Sequence, residues 1–169
     1  MTSTLAGLHV RPATPGDVAS LCDLLNVIIG IGGTTALEQP LTKAQFNEYF
    51  LEGASCLSCL VAEASDRGVL GFQGLGRHAD LPSDWADIGT FAKAKPKTPG
   101  VGTALFAASR TLAADLGVVA INATIRADNR GGLAYYEKMG FRTYRTLEAV
   151  KLQDGRPVDR ILKRYLVER

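Results

Sequence analysis

The chain is poor in the residues that most often announce a chemistry. It has two histidines, His9 and His78, and three cysteines, Cys22, Cys56 and Cys59. An odd cysteine count argues against a disulfide framework. Cys56 and Cys59 make a C-x-x-C spacing, but no second pair exists and histidines are scarce, so a metal centre is not expected. That pair opens a strand-like run through Ala62, where residues three apart point to opposite faces, and both read as small buried hydrophobes. Charge of one sign is also lacking: the net charge is +2 and Lys and Arg form no long run, so nucleic acid is not implied as a partner. No apolar run reaches the length of a membrane span. The opening Met1-Thr2-Ser3-Thr4-Leu5 has neither a basic stretch nor a long apolar one, so a secretory leader is not expected and a cytoplasmic location follows by default.

What is present is the composition of a soluble globular protein, with 46% apolar and 21% charged residues. A length of 169 residues is enough for one domain spanning 1–169 with a sizeable core. No repeat, linker or low-complexity segment breaks it. Leu8-His9-Val10-Arg11 alternates as a strand, and prolines at 12 and 15 punctuate it. Helical spacing then runs from Asp17 to about Ile29, with Val18, Leu21, Leu25 and Ile28 on one face. A glycine-rich loop follows, then a second helix from Thr42 to about Leu51. Three strands are expected near 57–64, 68–77 and 86–94. A third helix carries an apolar stripe of Val101, Leu105, Ala108, Leu112 and Leu116 and ends at Gly117. The mostly apolar run from Val118 to Ile125 reads as a strand buried on both faces. Asn129 caps a last helix that Gly140 stops, and strands near 141–149 and 160–167 close the chain around Asp154-Gly155. The order is β-α-α-β-β-β-α-β-α-β-β, an α/β architecture.

The most informative stretch is Lys97-Thr98-Pro99-Gly100-Val101-Gly102-Thr103-Ala104, between a strand and the third helix. Glycines there let a ligand approach the backbone. The first amides of a helix have no intrahelical acceptor, and the peptide dipoles favour negative charge beside them. Together these make a site for phosphate or pyrophosphate, formed by the amides of Gly100, Val101, Gly102, Thr103 and Ala104. A P-loop does not fit, because no lysine follows Gly102; a dinucleotide fingerprint does not fit, because Leu105 occupies its third glycine position.

Downstream stands Asn129-Arg130-Gly131-Gly132-Leu133-Ala134-Tyr135-Tyr136-Glu137-Lys138-Met139-Gly140-Phe141. With this second segment, over roughly residues 70–145, the chain resembles the GNAT superfamily of N-acetyltransferases. The family carries a [QR]-x-x-G-x-[GA] loop and, about thirty residues later, an N-x-x-A-x-x-x-Y-E-K-x-G-F-like stretch. Here Lys97 replaces the usual Gln or Arg, so a cation remains without its planar fork, and Gly132 replaces the usual Ala. The resemblance implies the GNAT fold: a mixed sheet of six to seven strands, flanked by about four helices and splayed where acetyl-CoA enters. A homodimer is a further implication of family habit.

The resemblance also implies site residues. The loop from Lys97 to Ala104 would hold the pyrophosphate of acetyl-CoA, with the Thr103 hydroxyl added, and Lys93 and Lys95 would attract the 3′-phosphate from a distance. Thr90, Phe91 and Ala92 match the strand that pairs with pantetheine. Asn129 matches the family's asparagine near that arm, although helix capping explains it equally well. The reaction needs a base, since an alkylamine with a pKa of about 10.4 is almost wholly protonated at neutral pH. Asp87, on the strand that lines the cleft, is the implied base; His78, Asp80 and Asp84 are rivals nearby. Tyr136 is the implied general acid toward the sulfur, against its reading as a core aromatic, with Tyr135 facing away. No Ser/His/Asp arrangement is available, so direct transfer is expected over an acyl-enzyme.

Two stretches, Val10 to Thr14 and Gly33 to Thr42, look distantly like phosphinothricin N-acetyltransferase-like members. That places Thr34, Thr35 and Glu38 near the amine of a small, amino-acid-like acceptor. Acetylation of a protein amine and a non-catalytic acyl-CoA-binding module are the alternatives.

Overall fold

In the computed structural model, which describes residues 7–169, the elements follow in the expected order. They are β1 (Leu8–Pro12), α1 (Val18–Ile31), α2 (Lys43–Asn47), β2 (Cys56–Ala64), β3 (Gly68–Gly76), β4 (Trp85–Ala92), α3 (Val101–Asp115), β5 (Ala120–Arg126), α4 (Arg130–Lys138), β6 (Arg142–Lys151) and β7 (Pro157–Leu166). The Met1–Leu5 stretch considered as a leader lies outside the described residues. No helix among the described residues is long and apolar enough to cross a membrane.

Local chemistry sets the boundaries. Thr42 and Gln45 cap α2 reciprocally: the Thr42 hydroxyl accepts from the Gln45 amide at 3.1 Å, and the Gln45 side chain accepts from the Thr42 amide at 2.9 Å. This helix turns into a π-helical turn over Glu48–Glu52, which brings Phe46 and Phe50 together with ring centroids 4.8 Å apart. Gly117, at φ +73°, ends the third helix in a conformation that a side chain would strain.

The sheet order is β1-β2-β3-β4-β5-β7-β6, and every pairing is antiparallel except β4 with β5. That exception positions the site. β4 and β5 share only the pairs Trp85–Ala120, Ala86–Ile121 and Asp87–Asn122. Beyond them β4 continues against β3 alone, and β5 against β7 alone, so the sheet opens into a V. This is the mixed, splayed sheet of the GNAT fold.

Three packed clusters hold the V open. On one face, Phe46, Phe50, Phe72 and Phe91 pack against Leu21, Leu25 and Ile29 of α1. On the other, Val101 and Leu105 of α3 sit on Leu60, Ala62 and Leu70. The far half is filled by Phe106, Ile121, Ala123, Ile125, Tyr136 and Phe141. Each buried large side chain contributes about 1.5–3 kcal/mol. Two expectations shift. The buried face of α3 is Val101, Leu105, Phe106, Ser109 and Ala113, whereas Leu116 is 44% exposed. The helix crosses the junction between clusters, so its core face turns toward Phe141 instead of following one straight stripe. The strand holding Cys56 and Cys59 is bulged between Cys56 and Ser58, which upsets the simple alternation. Burial pushes the Cys59 thiol pKa up to about 12.

Candidate active site

The opened V forms a cleft of ≈ 1150 Å³, lined from both sides of the sheet. Its floor at one end is the start of α3. Gly100, at φ +87°, reverses the chain into the helix, and no side chain caps it. The first helical hydrogen bond there runs from the Ala104 amide to the Gly100 carbonyl at 3.0 Å. The amides of Val101, Gly102 and Thr103 therefore precede the helical ladder, while that of Ala104 is already engaged. This corrects the expectation for Ala104, which also does not line the cleft. A 15-residue helix whose uncapped N-terminus opens on a cleft suits a diphosphate. Lys97 lines the same end. Thr98 beside it is buried, its hydroxyl accepting from Arg67 at 3.2 Å.

Gly102 has a packing task beside the one that its motif suggests. A Cβ there would lie 2.6 Å from the Tyr135 ring. The Tyr135 hydroxyl donates to the Gly102 carbonyl at 2.7 Å and accepts from Gln73 at 3.2 Å. Tyr135 thus turns into the cleft wall rather than away from it, and clamps the start of α3 to α4 and β3. Gln73 also donates to the Thr90 hydroxyl at 2.9 Å, and Thr90 shares a 2.8 Å hydrogen bond with the Tyr136 hydroxyl. Burial raises the pKa of both phenols, Tyr135 to about 12, so each keeps its proton at neutral pH. Phe91 turns its ring into the aromatic cluster and leaves its backbone on the cleft, with Ala92 beyond it.

Gly132 is explained by Asn129. The Asn129 side chain folds over the first turn of α4 and accepts from the Gly132 amide at 2.9 Å; a Cβ on Gly132 would lie 2.4 Å from it. Its amide group also donates to the Thr34 carbonyl at 3.1 Å. The capping residue of α4 therefore also ties down the loop after α1.

Asp87 stands at the apex of the V, half-buried, on the same face as the side chain of Phe91. Asn122 donates to its carboxylate at 2.8 Å, and the Tyr144 hydroxyl donates to Asn122 at 2.6 Å. Burial raises the Asp87 pKa above the ordinary carboxylate range, opposed by the Asn122 hydrogen bond and by His78. His78 lines the cleft as well, whereas Asp80 and Asp84 do not. Thr34 and Thr35 line the cleft beside the start of α4, but Glu38 turns out of it and accepts from the Gln153 amide at 3.2 Å. Asn26 holds the same loop from α1 by two hydrogen bonds to the Leu41 backbone, both 2.9 Å, and Gln39 bonds the side chain of Gln153.

Sequence reasoning missed Gln73, Tyr135, Asn122 and Tyr144. Gln73 and Asn122 carried a usable signal, since each is a lone amide inside an apolar strand and such groups are buried only with partners. Tyr144 carried none, because its partner lies on another strand.

The acetyltransferase (GNAT) family model matches residues 32–141, more than half of the chain. The chain belongs to this family and is an acetyl-CoA-dependent acetyltransferase. A comparison with curated proteins returns no match. Among solved structures the chain is similar to a GNAT superfamily phosphinothricin acetyltransferase from Sinorhizobium meliloti in complex with acetyl-CoA. The identity is 17% and the TM-score 0.83, over 95% of this chain and 89% of that one. It is similar to a ribosomal-protein-alanine N-acetyltransferase from Brucella melitensis, with 21% identity and a TM-score of 0.82 over 94% and 99%. It also resembles yncA from Salmonella typhimurium, solved with its cofactor acetyl-CoA: 17% identity, TM-score 0.82, over 96% and 95%. At such identities these likenesses speak to the fold.

Proposed function

We propose that the chain moves an acetyl group from acetyl-CoA directly to the primary amine of a small molecule. The observation that carries the reading is the path of the cleft, from the free amides of α3 past the open edge of β4 to Asp87. The amides of Val101, Gly102 and Thr103, with Lys97, would hold the diphosphate. The edge of Ile88 to Ala92 that faces away from β3 has no strand partner and suits an extended arm laid beside it like a strand. Acetyl-CoA would supply the activated acetyl group.

Asp87 takes the proton of the incoming ammonium at a carboxylate oxygen, and its raised pKa brings it closer to that task. Asn122 fixes the direction of the carboxylate. Tyr136 keeps a proton on its hydroxyl at the cleft wall, available to a departing thiolate. A small acceptor is supported by the loop from Gly32 to Leu41, which Asn26, Asn129 and Gln153 fasten across the acceptor end.

The test is thiol release with mass detection of product, over amino acids, polyamines, aminoglycosides and short peptides. Turnover of free small amines at rates well above those of peptides is the expected outcome. Acetylation confined to peptides would overturn the small-molecule acceptor.

A further inference from the structure

One arginine on the cleft wall, Arg126, has a second arginine, Arg160, packed behind it, and nothing so far explains the pair. β5 carries Arg126 on the face that Asn122 shares with Asp87, and β7 places Arg160 directly opposite Arg126. Only 6% of Arg126 and 7% of Arg160 is exposed. Two like charges held side by side away from water are costly unless anions answer them.

The neighbouring anions answer them only in part. Asp128 takes Nε and Nη2 of Arg126, at 2.9 and 2.7 Å. Nη1 of Arg160 is buried with no hydrogen-bond partner among the described residues. Glu38 attracts both guanidinium groups, yet its oxygens accept from the Gln153 amide instead. Asp154 pairs with Arg156 at 2.9 Å, and Asp159 accepts from the Ala149 amide at 2.8 Å. Burial and the charge of Arg126 hold the Arg160 pKa below its ordinary value in spite of Glu38 and Asp128. Arg126 lines the cleft, as do Thr124, Thr34 and Asp87.

We propose that Arg126, backed by Arg160, receives a carboxylate of the acceptor, and that the acceptor is an elongated amino acid whose reactive amine lies several bonds from that carboxylate. The inference rests on the reading of the cleft as a small-amine acetyltransferase with Asp87 as base. Guanidinium groups match carboxylates in both charge and planar geometry. The length follows from the strand: four residues separate Asn122, beside Asp87, from Arg126, about 13 Å between Cα atoms. An α-amino acid reacting at its own α-amine is too short to engage both ends, whereas an ω-amine on a flexible chain is not.

The experiment compares 6-aminohexanoate with hexylamine and with glycine. Wild-type kcat/KM should favour 6-aminohexanoate over hexylamine by about tenfold or more, the worth of a charge-assisted hydrogen bond. Glycine should be a poor acceptor. In Arg126→Gln that ratio should fall to near one through a higher KM for 6-aminohexanoate, and Arg126→Lys should restore part of it. Equal use of the two long amines by the wild type, or an undiminished ratio in Arg126→Gln, would overturn the proposal. A preference for O-phosphoethanolamine over 6-aminohexanoate would overturn the carboxylate.

Calorimetry on the wild-type protein loaded with CoA decides the matter even where no amine is acetylated or a variant fails to fold. Tighter binding of 6-aminohexanoate than of hexylamine sustains the arginine site, and equal binding removes it. Failure of acetylation itself counts separately, against the reaction.

Discussion

The two ends of the cleft are built by different means. At the α3 end the groups proposed to contact the cofactor are backbone ones, presented by an uncapped helix and by a strand edge without a partner. At the proposed acceptor end they are side chains: Asp87 held by Asn122, Arg126 beside Arg160, and a loop fastened from three separate elements. A backbone site depends on conformation and survives changes in most side chains. A side-chain site can be retuned residue by residue, so the acceptor end is where one fold can take on different amines.

The sharpest way to break the comparison is at Asp87. Asp87→Asn should lower kcat by about 10²–10⁴-fold, the usual contribution of a positioned base. In the wild type kcat/KM should fall as the pH drops through the raised pKa of Asp87, because the protonated acid cannot accept a proton. That acidic limb should vanish from the pH–rate profile of the variant; its persistence would move the role to His78.

Gly102→Ala tests the other end. Its Cβ would meet the Tyr135 ring at 2.6 Å, and overpacking of this kind costs about 1–3 kcal/mol. The shifted helix start should raise KM for acetyl-CoA more than KM for the amine, as steady-state kinetics would read. Asn26→Ala should do the reverse. It removes two hydrogen bonds to Leu41, each contributing about 0.5–1.5 kcal/mol, and should raise the acceptor KM several-fold while sparing that of the cofactor.

The effect with no bearing on turnover lies away from the cleft. Arg11 hydrogen-bonds the Asp17 carboxylate at 2.8 and 2.9 Å and lowers its pKa to about 2. The folded form thus gains stability above the ordinary carboxylate pKa and loses it as the pH falls from about 4 through about 2. The amount is about 2 kcal/mol, to be read as a steeper acid limb of wild-type stability than that of Asp17→Asn.

The same contrast governs what could be read in the sequence. Element order and the glycine-led helix start were legible, because periodicity and turn residues act locally; the splayed sheet was implied by the family resemblance and not by any local pattern. Glu38 was expected at the amine and instead turns to Gln153, more than a hundred residues away in the chain. Nothing in residues 30–40 encodes that partner. Tyr135 was expected to face away from Tyr136, whereas its direction is set by Gly102 and Gln73 on other elements. Asn129 was legible as a cap, and its second bond to Thr34 was not, since one amide serves two neighbours distant in sequence.

The short pairing of β4 with β5 gives the protein a pair of sheet edges in its middle rather than only at its rim. The Ile88–Ala92 and Ala123–Arg126 backbones face each other across the gap without a shared ladder. Proteins usually shield such edges with charge, proline or bulges because any passing strand could add to them. Here residues of the neighbouring helices and loops line the cleft along these edges, among them Thr34, Gly100 and Tyr135. On the proposed reading, a pantetheine-like arm laid along Ile88 to Ala92 would cover one of these edges itself. Amide hydrogen exchange along Ile88 to Ala92 should report occupancy of that gap directly.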